Sequence, residues 1–228
     1  MSFLSHLISF FILFSSNLAH AQKPLNSLKR DLLITGCARS GTTFISDVLV
    51  AAGLDMPHEF MGKKGSVSWL MCIDDRNLPW RRHSRYGYQF TTILHQVRDP
   101  LKTIASIVYT EREEAFDFYS KHVSQIQPDD SKLEKAVKYW IFWNKKAESI
   151  ASWRYKIEDL EDIWDEFCLR IGQEIDKQIL LSIPKDANHR PSKPIQKLSW
   201  SFLKEQLNEN LYNDLQLLAF NYGYQIYD

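Results

Sequence analysis

Asp31-Leu-Leu-Ile-Thr-Gly-Cys-Ala-Arg-Ser-Gly-Thr-Thr43 decides the fold. Leu32, Leu33 and Ile34 form a short apolar run, which reads as one buried strand. Residues 36–41 are a glycine-bounded turn. Beyond it, Phe44, Ile45, Val48, Leu49 and Ala52 fall on one helical face, and Gly53 follows as the helix stop. Strand, glycine turn and helix in that order are the setting of a phosphate loop. The glycines let successive backbone N–H groups turn toward one anion, and the helix N-terminus adds partial positive charge. Gly36 and Gly41 fit the spacing of G-x-x-x-x-G-K-[ST], but Thr42 stands where the lysine belongs. The cation is Arg39, inside the loop. A nucleoside-triphosphate enzyme uses that lysine on the β- and γ-phosphates, so its loss argues against one. The alternative is a strand–turn–helix corner that is merely rich in small residues.

A second signal lies outward. Residues 90–97 read as another buried strand, and Val97-Arg-Asp-Pro100 follows it. Pro100 suits a first helical turn, where its missing N–H costs little. A motif at this second strand–helix junction should share a sheet edge with the first. Arg98 can grip a phosphate with a fork of donors, and Ser106, two turns along the helix, can reach the same anion. Arg98 and Asp99 could equally form a local cap pair.

The rest of the chain alternates in the same way. Residues 65–73 suggest a short helix and 153–157 a third strand. Ser131 and Glu134 form a capping box. Leu133, Ala136, Val137, Trp140, Trp143, Ala147 and Ile150 repeat behind it at helical spacing. Leu160, Ile163, Trp164, Phe167 and Ile171 form a further helix face, ended by Gly172. Residues 183–198 carry three prolines and read as a loop. Two helices close the chain near Tyr222. Trp140, Trp143 and Trp164 belong to the core. The economical architecture is one α/β domain over residues 27–228 with a mainly parallel sheet.

Composition excludes several classes. The 228 residues are 44% hydrophobic and 25% charged, so neither a disordered nor a collagen-like chain fits. Lys+Arg and Asp+Glu are 28 each, and this balance gives no footprint for nucleic acid. Three cysteines without CxxC spacing support neither a disulfide framework nor a zinc ribbon. His58 and Glu59 lack the second histidine of HExxH, and no metal is expected. Residues 1–26 stand apart. No Lys, Arg, Asp or Glu precedes Gln22. The apolar stretch, with Ala19-His20-Ala21 behind it, reads as a signal or an anchor. It would associate the chain with a membrane through residues 3–19 and place it at the membrane or in the secretory pathway. Lys23, Lys29 and Arg30 follow the stretch, so an anchor with its N-terminus outside would leave the domain cytoplasmic. So would a start site assigned too early.

Together the two loop motifs resemble those of PAPS-dependent sulfotransferases. The A-R-S-G-T-T form is similar to the 5′-phosphosulfate loop, with arginine for lysine as in bacterial and tyrosine-protein sulfotransferases. Val97-Arg-Asp-Pro-Leu-Lys-Thr-Ile-Ala-Ser106 resembles the family's 3′-phosphate motif. Segments ending at Glu59, Trp69 and Leu160, and the tail up to Tyr224, resemble bacterial sulfotransferase-like proteins. The R-K-G segment of the soluble enzymes is absent. Lys185, Arg190 and Lys193 are its candidate substitutes.

The resemblance implies a three-layer α/β fold of P-loop type. It implies PAPS as donor, adenosine 3′,5′-bisphosphate as product, and a small-molecule or glycan acceptor with a hydroxyl or amine. Gly36, Cys37, Ala38, Arg39, Ser40, Gly41, Thr42 and Thr43 would cradle the 5′-phosphate. Arg98 and Ser106 would hold the 3′-phosphate. Arg39 would stabilise the leaving oxygen, and Glu59 would take the acceptor proton, with His58 orienting it or replacing it. A solvated loop pair is the plain alternative for His58 and Glu59. Arg76, Arg81, Arg82 and Arg85, interleaved with Trp80, Tyr86 and Tyr88, could bind an anionic or sugar acceptor or form a basic loop. Cys37 is either reactive or a small filler. A P-loop kinase or NTPase and a catalytically silent nucleotide-fold binder are the competing functions.

Overall fold

The computed structural model describes residues 28–75, 78, 84–184 and 197–228. The hydrophobic segment 1–26 therefore lies outside the described residues. So do Arg76, Trp80, Arg81, Arg82, Lys185, Arg190 and Lys193. Among the described residues no helix is long and apolar enough to cross a membrane.

Four parallel strands form the sheet, in the order β2-β1-β3-β4. β1 (Leu28–Gly36) lies between β2 (Gly65–Val67) and β3 (Tyr88–Val97), with Ile34 opposite Val67 and Thr35 opposite His95. β4 (Trp153–Lys156) flanks β3, with Gln96 opposite Tyr155. The C-terminal halves of the two central strands, Leu32–Gly36 and Leu94–Val97, are buried, as in a sheet covered on both faces.

Each face has its own core. Leu32 and Ile34 of β1 and Leu94 of β3 pack with Ile45, Val48 and Leu49 of α1 (Thr42–Ala51). Trp164, Phe167 and Ile171 of α5 (Trp164–Ile171) and Leu180 of α6 (Lys177–Ser182) complete that layer. The opposite core gathers α2 (Pro100–Thr110), α3 (Glu113–His122), α4 (Lys132–Glu148), α7 (Trp200–Gln206) and α8 (Glu209–Asn221). Trp140 and Trp143 of α4 are fully buried there, each contributing about 1.5–3 kcal/mol of burial. The result is the expected α/β, three-layer fold of P-loop type.

Local signals account for the boundaries. The Ser131–Glu134 capping box starts α4, Asp99 accepts the Lys102 N–H at the start of α2, and Pro100 occupies its first turn. Gly172 ends α5 in the left-handed region, at φ 65°. One expectation is corrected. Residues 65–73 are not a helix: Gly65–Val67 is the edge strand β2, and only Leu70–Cys72 makes a single 3₁₀ turn. The apolar run cannot distinguish a buried strand from a short helix, and pairing with β1 decides the case. Helices α3 and α6 were not apparent from the periodicity.

The topology also singles out one edge of the sheet. β1 leads into α1 on one face, and its neighbour β3 leads into α2 on the other. A crevice opens outside the carboxyl ends of two such strands, at the topological switch point.

Candidate functional site at the β1–β3 switch point

Gly36 ends β1 with no room for a side chain, because a Cβ there would collide with the Gln96 carbonyl oxygen of β3. The chain then turns through Arg39 (φ 68°) and Gly41 (φ 90°), both left-handed. Gly41 starts α1 with no side-chain cap. The N–H groups of Gly41, Thr42 and Thr43 consequently form an open first turn without intrahelical partners. Ser40 Oγ, also in the loop, is buried and makes no hydrogen bond to the described residues. The turn thus presents a set of donors of the kind that suits an anion such as phosphate.

The inner part of the loop is tied down instead. The Ala38 N–H donates to Tyr139 Oη at 3.2 Å, and the Ser40 N–H to the Cys37 carbonyl at 3.2 Å. Burial pushes the Cys37 thiol well above its usual range, so it is an inert filler rather than a reactive thiolate. Gln96 Nε2 donates to the Ser40 carbonyl at 2.8 Å while Gln96 Oε1 accepts from Tyr155 Oη at 2.7 Å. This relay runs from β4 through β3 to the loop. Gln96 directly precedes the Val97–Pro100 motif, and its neighbour on the loop was the available signal. Tyr139, on α4, gives no sign in the sequence.

The two motifs meet. Arg98 Nη1 donates to the Arg39 carbonyl at 3.0 Å, across 59 residues of sequence, and Arg39 Nε donates to Ser106 Oγ at 2.9 Å, across 67. Ser106 is buried within α2. Asp99 caps α2 while Arg98 reaches the loop, so the two do not form the local cap pair. Glu111 Oε1 lies 3.8 Å from Arg39 Nε.

The third sequence-chosen cluster joins them from the other side. His58 forms a parallel bridge with Val67 of β2, and the Glu59 N–H donates to the Val67 carbonyl at 2.9 Å. His58 Nε2 is hydrogen-bonded to Thr42 Oγ1 at 3.0 Å and to Thr43 Oγ1 at 3.4 Å. It thus touches the mouth of the phosphate loop. Glu59 Oε1 is 3.9 Å from His58 Nε2 and accepts from Trp69 Nε1 at 2.7 Å. The pair is half-buried and bonded on several sides, unlike a solvated loop pair.

Backbone conformation singles out the same residues. Arg39 (φ 68°) and Glu59 (φ 62°) are the non-glycine residues with positive φ among the described residues. Such conformations cost of order 1–3 kcal/mol each and gather at functional sites. The sequence nominated both side chains without any reference to backbone geometry.

Of the basic run, Arg85, Tyr86 and Tyr88 are described. Tyr88 stacks under Arg30, whose Cζ lies 5.2 Å from the ring centroid. Among the described residues no group of three His, Cys, Asp or Glu could hold a metal ion.

Parallel sheet, open-turned loop and paired Arg/Ser motif define an α/β protein of the phosphate-loop class. No family model matches the sequence, and no curated protein matches it significantly. Solved structures similar to this chain include the sulfotransferase domain from the Synechococcus PCC 7002 olefin synthase. That domain is 15% identical, with a TM-score of 0.48 over 90% of this chain and 98% of that one. The sulfotransferase domain from the curacin biosynthetic pathway is 11% identical, with a TM-score of 0.44 over 88% and 99%. The mouse sulfotransferase SULT7A1 complexed with PAP is 12% identical, with a TM-score of 0.34 over 79% and 68%.

Proposed function

We propose that the protein is a sulfotransferase that moves a sulfuryl group from PAPS to a hydroxyl or amine acceptor, with a carbohydrate or glycolipid among the candidates. The supporting observation is the meeting of the two motifs: Arg39 of the first binds Ser106 of the second, and Arg98 of the second binds the Arg39 carbonyl. Two phosphate grips on adjacent strands suit a nucleotide with phosphates at both the 5′ and 3′ positions.

The donor supplies the sulfuryl group and departs as adenosine 3′,5′-bisphosphate. The open turn at Gly41, Thr42 and Thr43 holds the 5′-phosphate, and Arg98 and Ser106 hold the 3′-phosphate. An acceptor oxygen or nitrogen forms its bond to sulfur as the bond from sulfur to the 5′-phosphate oxygen breaks. Negative charge grows on that leaving oxygen. Arg39, fixed at the seam of the two grips, stabilises it more in the transition state than in the ground state. The acceptor proton passes to Glu59. His58, bonded to the Thr42 hydroxyl and facing Glu59, aligns the base with the loop. Residues 27–228 constitute the transferase domain, and residues 1–26 bring it to a membrane or into the secretory pathway.

Thermal shift of the full chain with each nucleotide tests the donor assignment. Adenosine 3′,5′-bisphosphate should stabilise the protein far more than ATP or 5′-AMP. Equal stabilisation by ATP with Mg²⁺ would overturn the assignment and favour a kinase or NTPase.

A further inference from the structure

A glutamate side chain carries three rotatable bonds, so a backbone fixed at Glu59 does not by itself fix where the carboxylate points. Trp69 does that. Its indole Nε1 donates to Glu59 Oε1 at 2.7 Å. An indole N–H is only a donor, and 2.7 Å is the short range of a charge-assisted bond to a carboxylate.

The indole is itself held on several sides by aromatic neighbours. Its ring packs edge-on against Phe118 (5.8 Å between centroids, 89° between planes), Tyr119 (6.1 Å, 79°) and Tyr139 (6.4 Å, 83°). Trp143 leans on it at 5.5 Å and 51°, and Trp143 Nε1 donates to the Trp69 carbonyl at 2.9 Å. Edge-to-face contacts of this kind each add about 0.5–1.5 kcal/mol beyond area burial. Below Trp69, β2 is hydrogen-bonded to β1, the strand that carries the phosphate loop. The Glu59 carboxylate is thus referenced to the donor loop by a chain of packed rings and a sheet register.

We propose that Trp69 is the positioning residue for Glu59: its N–H holds Oε1, so that Oε2 is the oxygen presented to the acceptor. This rests on Glu59 being the general base. Oε1 also faces His58 at 3.9 Å, whereas Oε2 makes no hydrogen bond to the described residues. The two oxygens therefore have separate tasks, one anchored and one reactive.

The contact can be read without turnover, from the indole ¹H–¹⁵N resonances of the full chain. Trp69→Phe keeps a ring in the cluster and identifies the Trp69 signal by its loss. Glu59→Gln and Glu59→Ala should move that signal upfield more than the other indole signals. A signal indifferent to both variants overturns the proposal.

Turnover then tests the consequence. Trp69→Phe should lower kcat roughly 10- to 100-fold, the scale of a misplaced reacting group. Affinity for adenosine 3′,5′-bisphosphate and the acceptor KM should stay unchanged, a split that general unfolding would not give. Full kcat in Trp69→Phe, with Glu59→Ala inactive, overturns the positioning role while leaving the base in place. An indole response in a chain that transfers no sulfuryl group, or whose Glu59→Ala variant is fully active, overturns the base assignment and the positioning role with it, although the contact is real. If Trp69→Phe unfolds, the Glu59 variants still decide the contact.

Discussion

The two halves of the candidate site, the loop and the sheet edge, which the proposed function reads as donor and acceptor sides, are built by different means. On the donor side, main-chain geometry does most of the work: a glycine without space for a Cβ, an uncapped helix turn, and carbonyls held by Gln96 and Arg98. On the acceptor side the decisive contacts are between side chains, namely His58 with Thr42 and Glu59 with Trp69. In the proposed reading the 5′-phosphate meets mainly backbone N–H groups, and the 3′-phosphate meets the Arg98 and Ser106 side chains. The proposed acceptor would be met by side chains alone, on an irregular segment at the sheet edge, where function varies on a shared fold.

The largest effects should separate these halves. Glu59→Ala should lose about 10²–10⁴ in turnover, as for removal of a general base, with bisphosphate affinity intact. Arg39→Ala should lose roughly 10²–10³ and also slow acceptor-independent hydrolysis of PAPS. Binding by calorimetry beside single-turnover rates distinguishes them. Weakened bisphosphate binding in Glu59→Ala would break the division between donor and acceptor sides.

The donor scaffold should also carry acid sensitivity. His95 sits on β3 opposite Thr35, and its Nε2 is bonded to Asn144 Oδ1 at 3.0 Å. Burial lowers it from 6.5 to about 4. Above pH 6.5 neither the folded nor the unfolded chain protonates this ring, and its contribution to stability is complete. Between pH 6.5 and 4 only the unfolded chain gains the proton, so stability falls with pH, by about 3 kcal/mol at the limit. Denaturant unfolding at a series of pH values should show this slope, and His95→Gln should flatten it.

Smaller effects probe the loop itself. Gly36→Ala forces a Cβ into the Gln96 carbonyl and should cost about 1–3 kcal/mol of stability, with loss of bisphosphate binding. Tyr155→Phe removes one buried hydrogen bond to Gln96, worth about 1 kcal/mol. It should weaken bisphosphate binding modestly while kcat at saturating donor is preserved. A variant that loses kcat but not affinity would show that the relay serves chemistry rather than donor binding.

The loop half of the candidate site was the more legible in sequence, for a physical reason. Gly36, Arg39, Gly41 and the following helix lie within a few residues of each other, so their spacing reports the geometry directly. Arg98 and Ser106 were legible for the same reason, and parallel pairing of β1 with β3 joined the two motifs. Tyr139 and Tyr155 were hidden because their hydrogen bonds, one to the loop and one to Gln96, cross long stretches of chain. Trp69 lay at the end of a recognised segment, but its bond to Glu59 depends on how residues 57–59 lie along β2. In sequence that edge reads as a helix, because a three-residue strand has too few positions to display a period.

Arg39 and Glu59 share a left-handed backbone that only glycine adopts without cost. Robustness and chemistry therefore compete at the same two atoms of the main chain. A lineage selected for heat tolerance alone would drift toward glycine at both positions. It would keep the sheet, the loop and the aromatic cluster, and it would end as a sturdier molecule with neither the cation nor the carboxylate that the proposed reaction needs.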